Sequence, residues 1–227
     1  MKVIEVTNLI KIYNESEVKV NALNGIDLGI EEGEFTAIVG PSGSGKTTFL
    51  NMLGGLDMPT AGEIRVGGTD ICGLSSSQLI DFRLRNIGFV FQAYNLIPVL
   101  TAIENVEFIM QLQGTPKQER ETRAKELLHQ VGLGDRMNSR PAKLSGGQQQ
   151  RVAVARALAS KPKFVLADEP TANLDSKSTE NLLDMMEELN RKEQVTFIFS
   201  THDQRVVHKA RRVITLEDGL VISDERK

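Results

Sequence analysis

Short hydrophobic runs separated by Gly and Asn make up the first part of the chain, from Lys2 to Val66. Lys2–Thr7 (KVIEVT) and Asn24–Ile30 (NGIDLGI) are rich in strand-forming residues, and the residues between such runs favour tight turns. The pattern predicts strands joined by turns. We therefore expect a small antiparallel β subdomain in this part of the chain.

A helical pattern rich in charged residues replaces the strand pattern between Ile103 and His129. Gly114 and Pro116 interrupt this pattern, because both residues disfavour a helix interior, and they separate two predicted helices. We expect a helical subdomain over roughly residues 95–160.

Strand and helix patterns alternate towards the end of the chain. The sequence predicts a helix from about Gln149 to Ala159, a strand at Phe164–Asp168, a helix from about Lys177 to Lys192 and a strand at Thr196–Ser200. Such alternation is typical of a mostly parallel sheet, so the predicted fold class is α/β. With 227 residues, 40% of them hydrophobic, we expect one compact domain over residues 1–227.

Composition and charge disfavour several classes of protein. The formal net charge is -3 and the pI is near 5.7, so we expect no nucleic-acid partner. The single cysteine, Cys72, cannot form an internal disulfide, and Met1–Asn8 (MKVIEVTN) has neither the basic nor the apolar part of an export signal. These features predict a cytoplasmic protein.

One uncharged stretch, Asn86–Ile103, has about the length that crosses a bilayer. Gln92 and Pro98 would place a polar group and a helix breaker at membrane depth, which disfavours a membrane span. We predict a buried strand followed by a loop. Any membrane contact is then expected to occur through a partner protein, without direct insertion.

A predicted buried strand, Phe35–Val39, runs directly into the glycine-rich segment Gly40–Thr47 (GPSGSGKT) and then into a helical pattern. The glycines allow backbone N–H groups to face phosphate oxygens, and a helix N-terminus favours negative charge. In this setting Lys46 reaches the β and γ phosphates of a nucleotide, and the hydroxyl of Thr47 ligates Mg²⁺. The predicted nucleotide-binding residues are Gly40, Pro41, Ser42, Gly43, Ser44, Gly45, Lys46, Thr47 and Thr48.

Two acids, Asp168 and Glu169, follow the apolar run Phe164–Ala167. Ligands of open α/β sheets lie beyond the carboxyl ends of the strands, so this is where a metal and phosphates would be. Both acids can serve one site only if the strand has ended, which Pro170 favours. We predict that Asp168 binds Mg²⁺ through a water molecule and that Glu169 orients and deprotonates the attacking water. Alone, the pair would equally fit an acidic turn.

A second glycine-rich segment, Leu144–Gln148 (LSGGQ), also has the features of an anion site. Ser145 suits the N-cap of the helix that follows, and the helix N-terminus favours a bound anion. A single nucleotide fills one phosphate-binding segment, so the second segment implies a second nucleotide. We therefore expect a dimer that closes over ATP.

The order of GPSGSGKT, LSGGQ and VLADEP resembles that of ATP-binding subunits of ABC transporters, and LSGGQ matches that family's signature motif in every letter. The resemblance extends over essentially the whole chain. It implies a P-loop NTPase (RecA-like) core with a mostly parallel sheet, an N-terminal antiparallel β subdomain and an inserted helical subdomain. It also implies hydrolysis of ATP with Mg²⁺ by a head-to-tail homodimer.

Further site residues follow from the resemblance alone. Gln92 is at the position of the Q-loop glutamine, which contacts Mg²⁺ and the attacking water. His202 is at that of the switch histidine on the γ phosphate, Asp175 at that of an acid in the dimer interface, and Tyr13 at that of the aromatic that stacks on adenine. The residues implied to bind the facing chain's nucleotide are Ser145, Gly146, Gly147 and Gln148.

The residue patterns and the resemblance together define two functional sets. The expected catalytic residues are Lys46, Gln92, Glu169 and His202. The expected metal-binding residues are Thr47, Gln92 and Asp168.

Two runs, Val90–Val106 and Leu144–Ala159, resemble most closely the subgroup of lipoprotein-releasing and macrolide-export transporters. This resemblance implies a separate integral membrane permease and a peripheral location on the cytoplasmic face of the inner membrane. The residues do not choose among lipoprotein, peptide and drug as the exported substrate.

Three other functions compete with the transporter interpretation. Soluble ABC ATPases that act on DNA or ribosomes usually have two cassettes or a long coiled-coil insertion, and neither is seen here. A small-molecule kinase or GTPase is disfavoured by LSGGQ and the paired acids. A regulatory module that binds ATP without hydrolysis is disfavoured by Glu169.

Overall fold

The computed structural model describes residues 1–13 and 19–227. A four-stranded antiparallel sheet has the order β2-β1-β4-β5 and consists of β1 (Lys2–Tyr13), β2 (Val20–Glu31), β4 (Ala61–Val66) and β5 (Thr69–Asp70). In β4, Ile64 and Val66 are buried while their neighbours are less so, as expected when one face packs on a core. The predicted antiparallel β subdomain is confirmed.

A six-stranded sheet has the order β10-β9-β3-β8-β7-β6. The first five strands in chain order are parallel, and β10 pairs antiparallel with β9. The predicted mostly parallel sheet and the α/β fold class are confirmed. The strands are β3 (Phe35–Val39), β6 (Ile87–Val90), β7 (Phe164–Asp168), β8 (Thr196–Ser200), β9 (Arg212–Glu217) and β10 (Leu220–Arg226).

Seven α-helices are found in the described residues, together with a short 3₁₀ helix at Pro141–Lys143. The two helices predicted between Ile103 and His129 are present on either side of Gly114 and Pro116. The α-helices are α1 (Lys46–Leu53), α2 (Ser76–Asn86), α3 (Ala102–Leu112), α4 (Lys117–Gln130), α5 (Gly146–Ala159), α6 (Ser176–Glu193) and α7 (Gln204–Lys209).

Alternate residues of the parallel strands face two different hydrophobic cores. In β7, Phe164 and Leu166 pack with the antiparallel sheet and α1, whereas Val165 and Ala167 pack with residues of α3 to α6. The strand is apolar throughout because both of its faces are covered. The sheet therefore lies in the interior, and the edge where its parallel strands end is where a ligand can bind.

The uncharged stretch Asn86–Ile103 does not form a membrane span. It contains β6 and then an irregular segment up to the start of α3, as predicted. Across residues 1–13 and 19–227, no helix combines the length and apolar character needed to cross a bilayer.

Candidate active site

The segment between β3 and α1 makes a tight turn that only glycine fits at two positions. Gly40 and Gly45 have φ angles of 150° and 99°. A Cβ atom at Gly45 would lie 2.5 Å from the carbonyl oxygen of Ala22, and one at Gly40 would collide with that of Leu216. The loop therefore runs close to neighbouring backbone and leads directly into the N-terminus of α1.

Lys46 is the first residue of α1, and its side chain lies along the glycine-rich loop. Its Nζ donates hydrogen bonds of 2.9 Å to the carbonyl oxygens of Gly40 and Pro41. The ammonium group therefore adds to the positive field of the helix N-terminus. An anion bound at this loop would interact with the Lys46 ammonium and with the N-terminus of α1.

Thr47 lies beside Asp168 at the end of β7. The Thr47 hydroxyl is 3.3 Å and 3.4 Å from the two carboxylate oxygens of Asp168. Burial raises the pKa of Asp168 above its ordinary value, and the charge of the neighbouring Glu169 raises it further. Hydroxyl and carboxylate oxygens are the donors that Mg²⁺ prefers, so this pair fits a magnesium ion.

The backbone turns sharply directly after Asp168. Glu169 has a φ of 45°, which is uncommon for a residue other than glycine, and its N–H donates to the carbonyl oxygen of Ser200 at 2.8 Å. Because β7 ends at Asp168, the alternation of side chains between the two faces ends there too. Asp168 contacts the glycine-rich loop, and Glu169 lines the cleft next to it.

Two residues that follow β8 contact the carboxylate of Glu169. The hydroxyl of Thr201 donates to Oε2 at 3.2 Å, and Nδ1 of His202 lies 2.7 Å from Oε1. The Glu169 side chain is 18% exposed and that of His202 is 75% exposed, so the pair extends from the protein interior to the open cleft. Thr201 was not predicted from the sequence, since a threonine after a strand is an ordinary turn residue.

A cleft of about 680 Å³ brings most of the predicted residues together. Pro41, Ser44 and Asp168 do not line it. Ser44 is 2% exposed, the Pro41 carbonyl accepts from Lys46, and Asp168 lies behind Thr47, whose hydroxyl it contacts. The lining residues are Tyr13, Val20, Asn21, Ala22, Gly40, Ser42, Gly43, Gly45, Lys46, Thr47, Thr48, Gln92, Glu169, Ala172 and His202.

Tyr13 lies at this cleft and interacts with two charged groups. Its hydroxyl donates to Oδ2 of Asp57 at 2.9 Å, and Nζ of Lys11 lies 4.7 Å from the ring centroid. Lys11 also pairs with Asp57 at 2.8 Å. These contacts therefore hold the ring at the cleft. The sequence did not predict them, because Lys11 and Asp57 are far apart in the chain.

The segment that contains Gln92 is fastened through its backbone. Nδ2 of Asn173 donates to the Gln92 carbonyl at 3.0 Å, and the guanidinium of Arg156 donates to the carbonyls of Tyr94 and Asn95. Tyr94 and Asn95 have positive φ angles of 41° and 49°. Gln92 thus reaches the cleft from a segment held by α5 and by the loop after the acid pair.

Ser145 caps α5, as predicted. The Ser145 hydroxyl accepts from the N–H of Gln148 at 3.3 Å, and Oε1 of Gln148 accepts from the N–H of Ser145 at 2.9 Å. This capping box explains why α5 begins at Gly146, earlier than the predicted Gln149. Among the described residues, those lining the cleft do not include Leu144–Gln148. The two predicted phosphate-binding segments thus lie at different places on the chain.

Asp175 caps the next helix, α6. Its carboxylate accepts from the N–H of Ser178 at 2.9 Å and from the Ser178 hydroxyl at 2.7 Å. A Cβ atom built on Gly147 would lie 3.1 Å from the Ser178 side chain, so the first turns of α5 and α6 are neighbours. Ser145 and Asp175 therefore cap two adjacent helices.

Comparison with known proteins agrees with this geometry. The family model described as "ABC transporter" matches residues 23–172. An uncharacterized ABC transporter ATP-binding protein of Thermotoga maritima is 49% identical, and the match covers 100% of this chain and 96% of the relative. The lipoprotein-releasing system ATP-binding protein LolD of Syntrophus aciditrophicus is 46% identical, with 97% and 99% covered.

A longer relative and a solved structure extend the comparison. The macrolide export ATP-binding/permease protein MacB of Aggregatibacter actinomycetemcomitans is 45% identical over 100% of this chain but 35% of its own length. The ATP-binding cassette MJ0796, solved as a dimer in a post-hydrolysis state with ADP and Pi, is 44% identical with a TM-score of 0.89 and 98% of both chains covered. The chain belongs to the ABC transporter family, as an ATP-binding and ATP-hydrolysing domain of the lipoprotein-release and macrolide-export subgroup.

Proposed function

We propose that this protein is the ATPase subunit of a transporter with a separate membrane permease, and that it works as a head-to-tail homodimer. The main observation is that the cleft contains Lys46, Glu169 and His202, whereas Ser145 at the start of α5 lies outside it. One chain therefore has two half-sites. Two copies related by a two-fold axis would complete two whole sites.

In the cleft, the glycine-rich loop and α1 bind the triphosphate of ATP. Backbone N–H groups between Gly40 and Thr48 face the phosphates, and Lys46 exchanges its carbonyl contacts for phosphate oxygens. Tyr13, held by Asp57 and Lys11, packs on the adenine ring. His202 donates to the γ phosphate from the exposed end of the cleft.

Mg²⁺ is the metal that fits this site, and Thr47, Asp168 and Gln92 are the residues that would hold it. The partly buried Asp168 carboxylate has a raised pKa, and a bound cation would offset the cost of its charge. When bound, Mg²⁺ neutralises part of the charge on the phosphates. Asp168 and Thr47 contact each other, so their oxygens lie close enough together to bind one ion.

Glu169 orients the attacking water and accepts its proton. Thr201 and His202 contact one carboxylate oxygen each, so the carboxylate has a fixed direction. Phosphoryl transfer needs mainly positioning and electrostatic stabilisation, and a fixed base supplies the first of these. Gln92 contacts the same water from the opposite loop, and Lys46 stabilises the developing charge.

The start of α5 binds the γ phosphate of the nucleotide held by the facing chain. Ser145 and the N–H groups of Gly146, Gly147 and Gln148 form the cradle, and Asp175 lies in the dimer interface beside it. ATP then joins the two copies, and hydrolysis removes the joining phosphate. This cycle of closing and opening supplies the motion that the permease uses.

An apolar groove of about 630 Å³ beside the Gln92 segment is the proposed permease contact. It lies against α3, part of the helical subdomain that we propose for roughly residues 95–160. Ile80 and Leu112 at its rim are 58% and 57% exposed. Exposed apolar surface of this kind marks protein interaction sites. Binding there places the protein on the cytoplasmic face of the membrane, where it powers export of a lipoprotein, peptide or drug.

The dimer is tested with Glu169→Gln, which keeps the nucleotide but removes the base. Gel filtration is expected to give a monomer without nucleotide and a dimer with ATP and Mg²⁺. Glu119→Gln, an exposed change on α4, is the matched control. This variant keeps Glu169, so with ATP and Mg²⁺ it is expected to hydrolyse the nucleotide and to elute as a monomer. A Glu169→Gln monomer at saturating ATP would contradict the proposed function.

A further inference from the structure

Gln150 is fully buried in the second turn of α5, and its amide contacts two segments that are far apart in the chain. Its Nε2 donates to the carbonyl oxygen of Pro170 at 2.8 Å and to that of Phe91 at 3.3 Å. Phe91 directly precedes Gln92, and Pro170 directly follows Glu169. One NH₂ group thus joins the backbones that present the two water-contacting side chains.

The direction of this amide is fixed by its partners. Both partners are carbonyl oxygens, which only accept hydrogen bonds, so the NH₂ end of Gln150 must face them. In the part of the chain that the structure describes, Oε1 of Gln150 is buried and has no hydrogen-bond partner. A buried amide with one unsatisfied end is costly, so packing alone does not explain a glutamine here.

The position of Gln150 on α5 connects the two half-sites of the chain. Ser145 caps the same helix one turn earlier, and a helix is a rigid element over so short a distance. Asn173, in the loop after Glu169, also donates a hydrogen bond to the Gln92 carbonyl. Two side chains therefore connect the Gln92 segment with the segment that follows Glu169. The start of α5 is therefore connected through Gln150 to the backbones next to Gln92 and Glu169.

We propose that Gln150 is a positioning residue for hydrolysis, acting through the backbone that carries Gln92 and Glu169. The inference rests on the proposed function, since it takes its importance from the roles of those two side chains. Gln150 itself does not line the nucleotide cleft. Its loss should therefore lower kcat and leave nucleotide affinity unchanged.

Two substitutions remove the bridge in different ways. Gln150→Met keeps a long unbranched side chain without donors, and Gln150→Asn keeps the amide but withdraws it from both carbonyls. Each is expected to lower kcat by about 10- to 100-fold, the range for slight misplacement of reacting groups. ATP affinity, measured by equilibrium binding, is expected to stay within about twofold of wild type.

Gln113→Met is the matched control, because the Gln113 amide also donates to a backbone carbonyl, that of Leu84, but away from the cleft. It is expected to retain wild-type kcat. Circular dichroism at the assay temperature checks that each variant is folded. If neither Gln150 variant folds, the proposal is overturned, because Gln150 would then be required for the fold as a whole.

A double-mutant cycle with Gln92→Ala separates positioning from a general structural effect. If Gln150 acts through Gln92, the combined loss in kcat is smaller than the product of the two single losses. A combined loss equal to the product, or wild-type kcat in Gln150→Met, would overturn the inference alone. Absence of ATPase activity in the wild-type chain would instead overturn the proposed function, and this inference with it.

Discussion

The carboxylate of Glu169 and the ring of His202 are 2.7 Å apart, although the two residues are 33 positions apart in the chain. Each residue follows the end of a strand, and these strands, β7 and β8, are parallel neighbours with Asp168 opposite Ser200. The carboxyl ends of parallel strands lie at one edge of a sheet, so the contact results from the topology. It brings a candidate base and a candidate phosphate ligand into one cleft.

The first prediction concerns this contact. His202→Ala removes the contact with Glu169 and the proposed donor to the γ phosphate, so kcat is expected to fall by about 10²-fold or more, as for loss of one stabilising donor. Steady-state ATPase assays measure it. His208→Ala, a change of an exposed histidine on α7, is the control and should retain full activity. Equal activity of both variants would contradict the role of His202.

The second prediction concerns the base. Glu169→Gln is nearly isosteric but cannot accept the proton of water, so turnover is expected to fall by about 10²- to 10⁴-fold. Binding of ATP should be unchanged, because the proposed phosphate contacts come from the glycine-rich loop. Single-turnover hydrolysis and equilibrium binding distinguish the two effects. Wild-type turnover would remove Glu169 from the mechanism.

The sequence predicted the local structural context of several candidate site residues. Lys46 and Thr47 follow a buried strand and begin a helix, and Ser145 caps α5 in the structure as expected. No helix was predicted for residues 76–86, which form α2. The spacing of Ser75 and Gln78, which is that of a capping box, could have indicated this helix.

The contacts that orient the site could not be predicted. The positive φ of Glu169 and the bridge from Gln150 depend on distant backbone carbonyls, those of Ser200 and Pro170 among them. A single sequence shows local propensity and period, but it does not show which carbonyl a buried amide will meet. Tertiary packing decides these contacts.

The third prediction uses the raised pKa of Asp168. In the folded state this carboxyl keeps its proton to a higher pH than in the unfolded state. Its ionisation therefore lowers the stability of the fold as pH rises from the unfolded-state pKa to the folded-state pKa. Asp168→Asn does not ionise and should raise the free energy of unfolding of the nucleotide-free protein at neutral pH. The difference should shrink below the ordinary aspartate pKa of about 3.9. Urea denaturation across pH measures it.

The same variant should lose Mg²⁺-dependent hydrolysis, because an amide replaces the carboxylate that would hold the metal. A destabilised Asp168→Asn protein at neutral pH would contradict the predicted sign. Retained hydrolysis would contradict the proposed metal role.

The fourth prediction concerns an ion-pair network outside the cleft. Hydrogen bonds from the buried Arg212 hold the pKa of Asp224 below its ordinary value. This pair stabilises the fold above the unfolded-state pKa, and the contribution is lost as pH falls through the folded-state pKa. Asp224→Asn should cost about 1 kcal/mol at neutral pH, because Glu34 still pairs with Arg212 and Asp224 is partly exposed.

Urea denaturation at neutral and acidic pH tests this network. Asp81→Asn is the control, since Asp81 pairs with Arg85 on an exposed helix surface and should change stability by less than about 0.5 kcal/mol. A cost for Asp224→Asn that stays constant into strong acid would contradict the assignment.

The central claim is that each nucleotide lies between two copies, and two inactive variants test it. Lys46→Ala removes the lysine from the cleft. Ser145→Asp keeps a good helix cap but places a negative charge against the phosphate. Each homodimer then has two defective sites. In a mixed dimer, a head-to-tail arrangement puts both defects in one site and leaves the other intact.

Subunit mixing followed by an ATPase assay is the most direct measurement. At equal concentrations half of the dimers are mixed and each retains one of two sites, so the account predicts recovery of up to about a quarter of wild-type activity. If the two segments served one nucleotide within a single chain, the mixture would be as inactive as its components, and that result would contradict the account.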